Sequence, residues 1–149
     1  MQKITPFLWF DNNAEEAINF YIKTFKDASI NNINRRTPDG PLFTGSFTLF
    51  GQEYGVINGG PMFKFNEAVS FVVHCKDQEE VDYYWDALTA DGGEESMCGW
   101  LKDKFGLSWQ IIPDRLMELL NHPDADKAQR ATQAMLKMKK IDIDILENA

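Results

Sequence analysis

Cysteine, histidine, positive charge and long apolar runs are all scarce in this sequence, and each shortage excludes something. Only two cysteines, Cys75 and Cys98, stand among the 149 residues. They have no CxxC spacing, and Cys75 sits in an alternating apolar run, so they read as two reduced core or pocket thiols rather than a disulfide framework. The two histidines, His74 and His122, have no HxH or HExxH near them, and an imidazole-based metal site lacks its ligands. Lysine and arginine total 15 against 23 aspartates and glutamates, a net charge of −8. That balance repels phosphate backbones and anionic lipid heads, which makes nucleic acid and membrane surfaces poor partners. The longest apolar runs, such as Phe7 to Phe10, fall far short of the roughly 20 residues that span a bilayer. Met1-Gln2-Lys3 leads into a strand-like segment with no apolar signal core behind it, and the expected location is cytoplasmic.

What is present is ordinary for a globular chain. Hydrophobic residues make up 44% and charged residues 26%, which argues against disordered and fibrous classes. A chain of this length reads as one domain that buries about 70% of the surface its unfolded form exposes, enough for a core without staples.

Internal self-similarity is the most informative feature. Glu15-Glu16-Ala17-Ile18-Asn19-Phe20-Tyr21 reads against Glu79-Glu80-Val81-Asp82-Tyr83-Tyr84-Trp85, an offset of 64 that also lays Pro6–Phe10 over Ser70–His74. Phe50-Gly51-Gln52-Glu53-Tyr54-Gly55-Val56-Ile57 reads against Phe105-Gly106-Leu107-Ser108-Trp109-Gln110-Ile111-Ile112, an offset of 55. Two matches in one order point to two copies of one unit.

The first copy reads as a strand over Ile4–Phe10, a helix over Asn13–Phe25 and a weaker strand over Ser29–Arg36. A Thr37-Pro38-Asp39-Gly40 turn follows, then strands over Leu42–Phe50 and Glu53–Asn58. Asn12 or Asn13 caps the helix, with Glu15 and Glu16 at its positive dipole end and Ala14, Ala17, Ile18, Tyr21 and Phe25 on its buried face. The second copy reads as a strand over Ala68–Cys75, a helix over Gln78–Ala90 capped by Asp77, and strands over Glu95–Lys102 and Leu107–Ile112. After Pro113 the pattern changes to a helix over Asp114–Asn121, another from Pro123 to about Lys139, and a tail over Ile141–Glu147. Ala128, Ala131, Met135 and Met138 form an apolar stripe that suits a partner contact or packing on the same chain.

Paired βαβββ units resemble the vicinal oxygen chelate (glyoxalase, bleomycin-resistance, dioxygenase) superfamily. Three stretches are similar to its PhnB-like, demethylubiquinone methyltransferase-like branch. They are Ile4–Phe10 with Asn13–Ala17, Leu49–Gln52 through Asn58–Pro61, and Cys98-Gly99-Trp100-Leu101-Lys102-Asp103-Lys104-Phe105-Gly106-Leu107-Ser108-Trp109-Gln110. The resemblance implies an α+β fold, with a cup-shaped mixed sheet made by both copies around a small-molecule cavity, plus C-terminal helices. It implies one domain over residues 3–113, with repeats at about 3–60 and 67–113, and a helical extension over 114–149. Metal-dependent relatives place four His or Glu ligands on the first and fourth strands of each copy. Those positions carry over to Pro6, Gly55, Ser70 and Gln110, none of which is a strong ligand for a divalent ion, so no metal and no cofactor are expected. Methyl transfer meets an objection too, because neither Gly59-Gly60 nor Gly92-Gly93 forms a glycine-rich turn that opens a helix.

Strand parity then sorts the side chains. With Ser70 facing the cavity, Val72 and His74 follow, while Phe71, Val73 and Cys75 lie under the helices. Gln110 brings Ser108 and Ile112 inward, and Pro6, Leu8 and Phe10 share the inward face of the first strand while Phe7 and Trp9 do not. Together with Trp100 at the mouth, the expected pocket residues are Ser70, Val72, His74, Trp100, Ser108 and Gln110. His74 is the one imidazole on that face, or a partly exposed strand-end histidine. Gln110 either holds a ligand group or satisfies a backbone neighbour. Cys98 lines the mouth, and Arg35-Arg36 is a solvated pair or meets an anion. Tyr84 and Trp85 are core, and Asp124-Ala125-Asp126 lacks the oxygens of a calcium loop. The first functional reading is a metal-independent, homodimeric module that binds a small, largely apolar molecule. A superfamily enzyme with displaced ligands, drawing on His74 and Glu53, is the alternative; a structural or regulatory homodimer is the third.

Overall fold

A computed structural model describes residues 2–149; Met1, the first residue of the Met1-Gln2-Lys3 stretch, lies outside the described residues. The doubled pattern builds the same small sheet twice, in two compact units, Met1–Phe65 and Asn66–Ala149. In the first, β1 (Phe7–Phe10), α1 (Ala14–Thr24), β2 (Ala28–Arg35), β3 (Leu42–Leu49) and β4 (Gln52–Asn58) give the strand order β1-β4-β3-β2. In the second, β5 (Ser70–Cys75), α2 (Gln78–Thr89), β6 (Glu94–Glu95), β7 (Trp100–Lys102) and β8 (Ser108–Pro113) give β5-β8-β7-β6. Both sheets pair their outer first strand in parallel with the fourth and are otherwise antiparallel. Helices α3 (Asp114–Leu120), α4 (Ala125–Met135) and α5 (Ile143–Glu147) follow. The α+β class, with mixed sheet from paired βαβββ units and C-terminal helices, is the one expected, and the strands pair as two four-stranded sheets. Among the described residues no helix is long and apolar enough to cross a membrane.

The two main helices are held at their starts by different means. Asp77 accepts from Glu80 N at 2.9 Å while Glu80 Oε1 accepts from Lys76 N at 3.0 Å, a local reciprocal cap for α2. Asn13 stands at the cap position of α1 but makes no side-chain cap bond. Asn58, at the end of β4, reaches across instead: its Oδ1 accepts from Ala14 N and its Nδ2 donates to Leu42 O, both at 2.9 Å.

One face of each sheet is covered by its helix. A Cβ on Gly45 would lie 3.4 Å from Ile18 Cδ1, so Gly45 faces α1. Its register partner is Val56, whose partner in turn is Leu8. Leu8 and Phe10 therefore lie on the helix side, buried with Val56, Ala17 and Ile18, and Phe7 and Trp9 carry the other face. This reverses the expectation for the first strand, and the cause is one residue. The helices do repeat at 64, with Ala17 matching Val81 and Tyr21 matching Trp85, all buried. Phe7 pairs with Gly55 and Val72 with Gln110, however, so the strands repeat at 65. The loop before α1 is one residue longer than the loop before α2, and a one-residue slip exchanges the faces of a strand.

The turn between β7 and β8 is built on a buried carboxylate. Asp103 is 2% exposed. Its Oδ1 accepts from Phe105 N at 2.9 Å and Leu107 N at 3.1 Å, and its Oδ2 accepts from Trp109 Nε1 at 2.9 Å. A carboxylate removed from water needs such donors, and here it fixes both the turn and the indole that β8 presents to α2.

The strand expected over Glu95–Lys102 is interrupted. Cys98 and Gly99 both have positive φ, 60° and 84°, and their N–H groups turn to Met138 O and Lys139 O, each at 2.8 Å. The chain after α4 thus takes the hydrogen bonds a continuous strand would have used. Gln78 grips the same segment, donating to Ile141 O at 3.0 Å and accepting from Ile143 N at 2.9 Å. Ile112, Leu116, Leu119, Ala131, Met138, Ile141 and Leu146 close a second small core, with Met135 packed against it. Ala131 and Met138 of the apolar stripe are thus buried within their own chain, with Met135 packed against them.

Replacing Asp103 with Ala leaves three donors without their acceptor. The expected loss is about 3 kcal/mol, since each stranded buried group costs on the order of 1–3 kcal/mol. Urea unfolding of the variant measures it, and a change within about 0.5 kcal/mol would contradict the role assigned to this carboxylate.

Candidate functional site

The second sheet divides its side chains by parity, and the division sets the chemistry. Towards α2 point Cys75, Leu101, Trp109 and Ile111, buried with Val81, Tyr84, Trp85 and Leu88. Phe71 meets Trp109 edge-on at 5.6 Å on that side. Burial there, helped by Glu80, Asp114 and Asp77, pushes the Cys75 thiol up to about 12. A thiol so far from its anion is a packing group, not a nucleophile.

The opposite face carries two cross-strand rows. Ser70 pairs with Ser108, Ser108 with Lys102, and Lys102 with Glu94; beside them Val72 pairs with Gln110 and Gln110 with Trp100. Gln110 Nε2 donates to Ser70 Oγ at 2.9 Å, which leaves the Gln110 carbonyl oxygen and the Ser70 hydroxyl hydrogen as the groups they offer a ligand. Val72 and His74 are exposed and Trp100 is half-buried. His74 lies at the far end, beside Ile112, and no carboxylate among the described residues bonds to it. Ile112 itself is taken up by the C-terminal core.

Ser108 is the unusual member. It is 1% exposed, and its Oγ has no hydrogen-bond partner among the described residues. A buried hydroxyl without a partner costs on the order of 1–3 kcal/mol, so its retention wants a reason. It lines a pocket of ≈ 250 Å³ together with Glu67, Glu94, Glu95, Trp100 and Lys102. Lys102 forms an ion pair with Glu67. The pair holds the Lys102 ammonium above, and the Glu67 carboxyl below, their ordinary values.

Other sequence candidates are held elsewhere. Arg35 makes a bidentate pair with Glu15, at 2.9 and 2.5 Å, and Arg36 lies 3.8 Å over the Phe43 ring. Glu53 belongs to the first unit, where it accepts from Asn31 Nδ2 at 3.3 Å. Asp124 accepts from Asp126 N at 3.0 Å and caps α4. Glu67, Glu94 and Lys102 escaped the sequence reading. Only the registers of β6, β7 and β8 place Glu94 and Lys102 in line with Ser108, and no spacing motif announces that.

The positions that correspond to metal ligands fit a divalent ion poorly. With the strands repeating at 65, the open-face residue of β1 is Phe7 rather than Pro6; neither has a ligating side-chain atom, and the Phe7 ring fills the place of a Gly55 side chain, whose Cβ would lie 2.5 Å from Cδ2. Ser70 and Gln110 bond to each other. Among the described residues no three His, Cys, Asp or Glu are grouped to hold an ion.

Residues 2–112 match the model of the family described as 3-demethylubiquinone-9 3-methyltransferase. The chain belongs to this PhnB-like family. It is similar to the PhnB protein of Bacillus cereus, at 36% identity and a TM-score of 0.69, over 75% of this chain and 99% of that one. More distant neighbours share the fold alone. Protein PA1353 of Pseudomonas aeruginosa has 17% identity and a TM-score of 0.59, over 76% of this chain and all of its own. The fosfomycin resistance protein FosX of Listeria monocytogenes has 12% identity and a TM-score of 0.51, over 75% and 91%. No curated protein matches the sequence.

The two thiols should separate cleanly on iodoacetamide labelling of the folded protein at mildly alkaline pH. Cys98, half-buried, reacts; Cys75, fully buried, reacts only after unfolding. Equal labelling of both in the native state would contradict the packing assigned to β5.

Proposed function

We propose that this PhnB-like protein binds a small, largely apolar organic molecule against the open face of β5, β8 and β7, without the metal its wider resemblance implies. The observation that carries this reading is the contrast between the two sides of one sheet. The helix side is closed and apolar. The other side combines an exposed Val72 and a half-buried Trp100 with the Gln110–Ser70 pair and Ser108, a few polar groups set in an apolar surround. The donor set at the ligand-equivalent positions favours binding without a metal ion. Gln110 orients the ligand through its carbonyl oxygen, Ser70 fixes the Gln110 amide, and Trp100 and Val72 supply apolar contact. A role for His74 in proton transfer gains no support from its exposed position at the strand end.

Two measurements test the proposal. Mass spectrometry of the denatured, purified protein should find a retained small organic molecule that is depleted in Gln110→Ala, while the variant's melting temperature is unchanged and metal analysis falls well short of one equivalent. One equivalent of tightly held metal, or equal retention by the variant, would contradict it. The same proposal expects a homodimer, because Ile4, Phe7, Met62, Phe63 and Val69 are large apolar residues left exposed. Light scattering at micromolar concentration should give twice the 17.1 kDa chain mass, and a monomer would refute the dimer.

A further inference from the structure

We propose that the pocket over Ser108 selects a ligand carrying an organic ammonium group, a primary or secondary amine on a small apolar body. The inference rests on the binding reading above and adds the charge of what is bound. Glu67 and Glu94 bring two carboxylates to this pocket against a single ammonium, Lys102, while Glu95, which also lines it, pairs with Leu101 on the alternate face. That excess attracts a cation and repels a carboxylate or phosphate, since like charges brought into a partly desolvated site cost free energy. Lys102 is already paired with Glu67, which leaves Glu94, beside Lys102 in the register, to face an incoming positive charge. Trp100, half-buried on the same wall, offers the ring face on which ammonium groups settle.

Ser108 supplies the observation that points to a ligand rather than to a merely acidic surface. The residue is 1% exposed and lines this pocket, and its hydroxyl is bonded to nothing among the described residues. An ammonium N–H donated to Ser108 Oγ gives it the partner the fold withholds. A metal ion would not serve, because the carboxylates are not grouped to chelate one. A cation that makes spread contacts with a hydroxyl, a carboxylate and a ring matches the arrangement. At ≈ 250 Å³ the pocket admits a molecule smaller than the drug-sized ligands of pockets of about 300–1,000 Å³.

Three probes of nearly equal shape separate the possibilities: phenethylamine, its neutral analogue 2-phenylethanol, and the carboxylate 3-phenylpropanoate. Binding is followed by Trp fluorescence and by amide chemical shifts of residues 94–110. Phenethylamine should bind at least tenfold more tightly than the other two and shift the Glu94, Trp100 and Ser108 amides. Glu94→Gln should remove about tenfold of that preference and Ser108→Ala a similar share. Ser108→Ala should also leave the melting temperature unchanged or raise it, which a hydroxyl retained for packing would not do. Preference for the neutral or anionic probe overturns the ammonium assignment while the binding function stands. Failure of all three probes to bind overturns both.

Discussion

The register of β7 against β8 rests on Asp103, and through that register so does everything the second sheet offers to a ligand. One carboxylate, 2% exposed, collects Phe105 N, Leu107 N and the Trp109 indole. The backbone bonds close the turn so that Lys102 falls opposite Ser108. The indole bond ties Trp109 into the layer beneath, against α2. Were the turn one residue longer or shorter, Ser108 and Gln110 would exchange faces with Trp109, and the polar groups would be buried under a helix. The run Asp103–Trp109 thus earns its specificity as a motif through a structural demand that precedes any chemistry.

Above that turn the sheet keeps two economies apart. The helix side satisfies the ordinary requirements of a small core: apolar, closed, with a Cys75 thiol pushed up to about 12. The open side tolerates an exposed valine and a buried hydroxyl without a partner, features that reduce stability. Local costs of this kind tend to gather where a site is built. The C-terminal segment supports the arrangement from one end. It takes the hydrogen bonds of Cys98 and Gly99 and covers Ile112, which limits the open face to the Ser70–Gln110–Trp100–Ser108 quarter.

Much of this was legible in the sequence. The repeat of Glu15–Tyr21 in Glu79–Trp85 announced two copies, alternation placed Cys75 under a helix, and the Pro38-Asp39-Gly40 turn fell where Gly40 N meets Thr37 O at 3.0 Å. Three things were not legible, each for a physical reason. Leu8 and Phe10 face the helix rather than the cavity because the offset of the helices does not hold for the strands, across a loop that differs by one residue. The break after Glu95 came from partners at Met138 and Lys139, about forty residues away, which no local pattern encodes. Glu94 and Lys102 enter the site through cross-strand register and Glu67 through its ion pair from the turn before β5, and charged residues so placed carry no signal of their own.

The central claim is that alternate residues of one strand serve different ends. An alanine scan along β5, read by urea unfolding, tests it most directly. Phe71→Ala and Val73→Ala should each lose about 1–4 kcal/mol, because they remove contacts on the helix side. Ser70→Ala, Val72→Ala and His74→Ala should stay within about 0.5 kcal/mol of the parent. A uniform loss along the strand, or a larger loss at Ser70, Val72 and His74, would contradict the account.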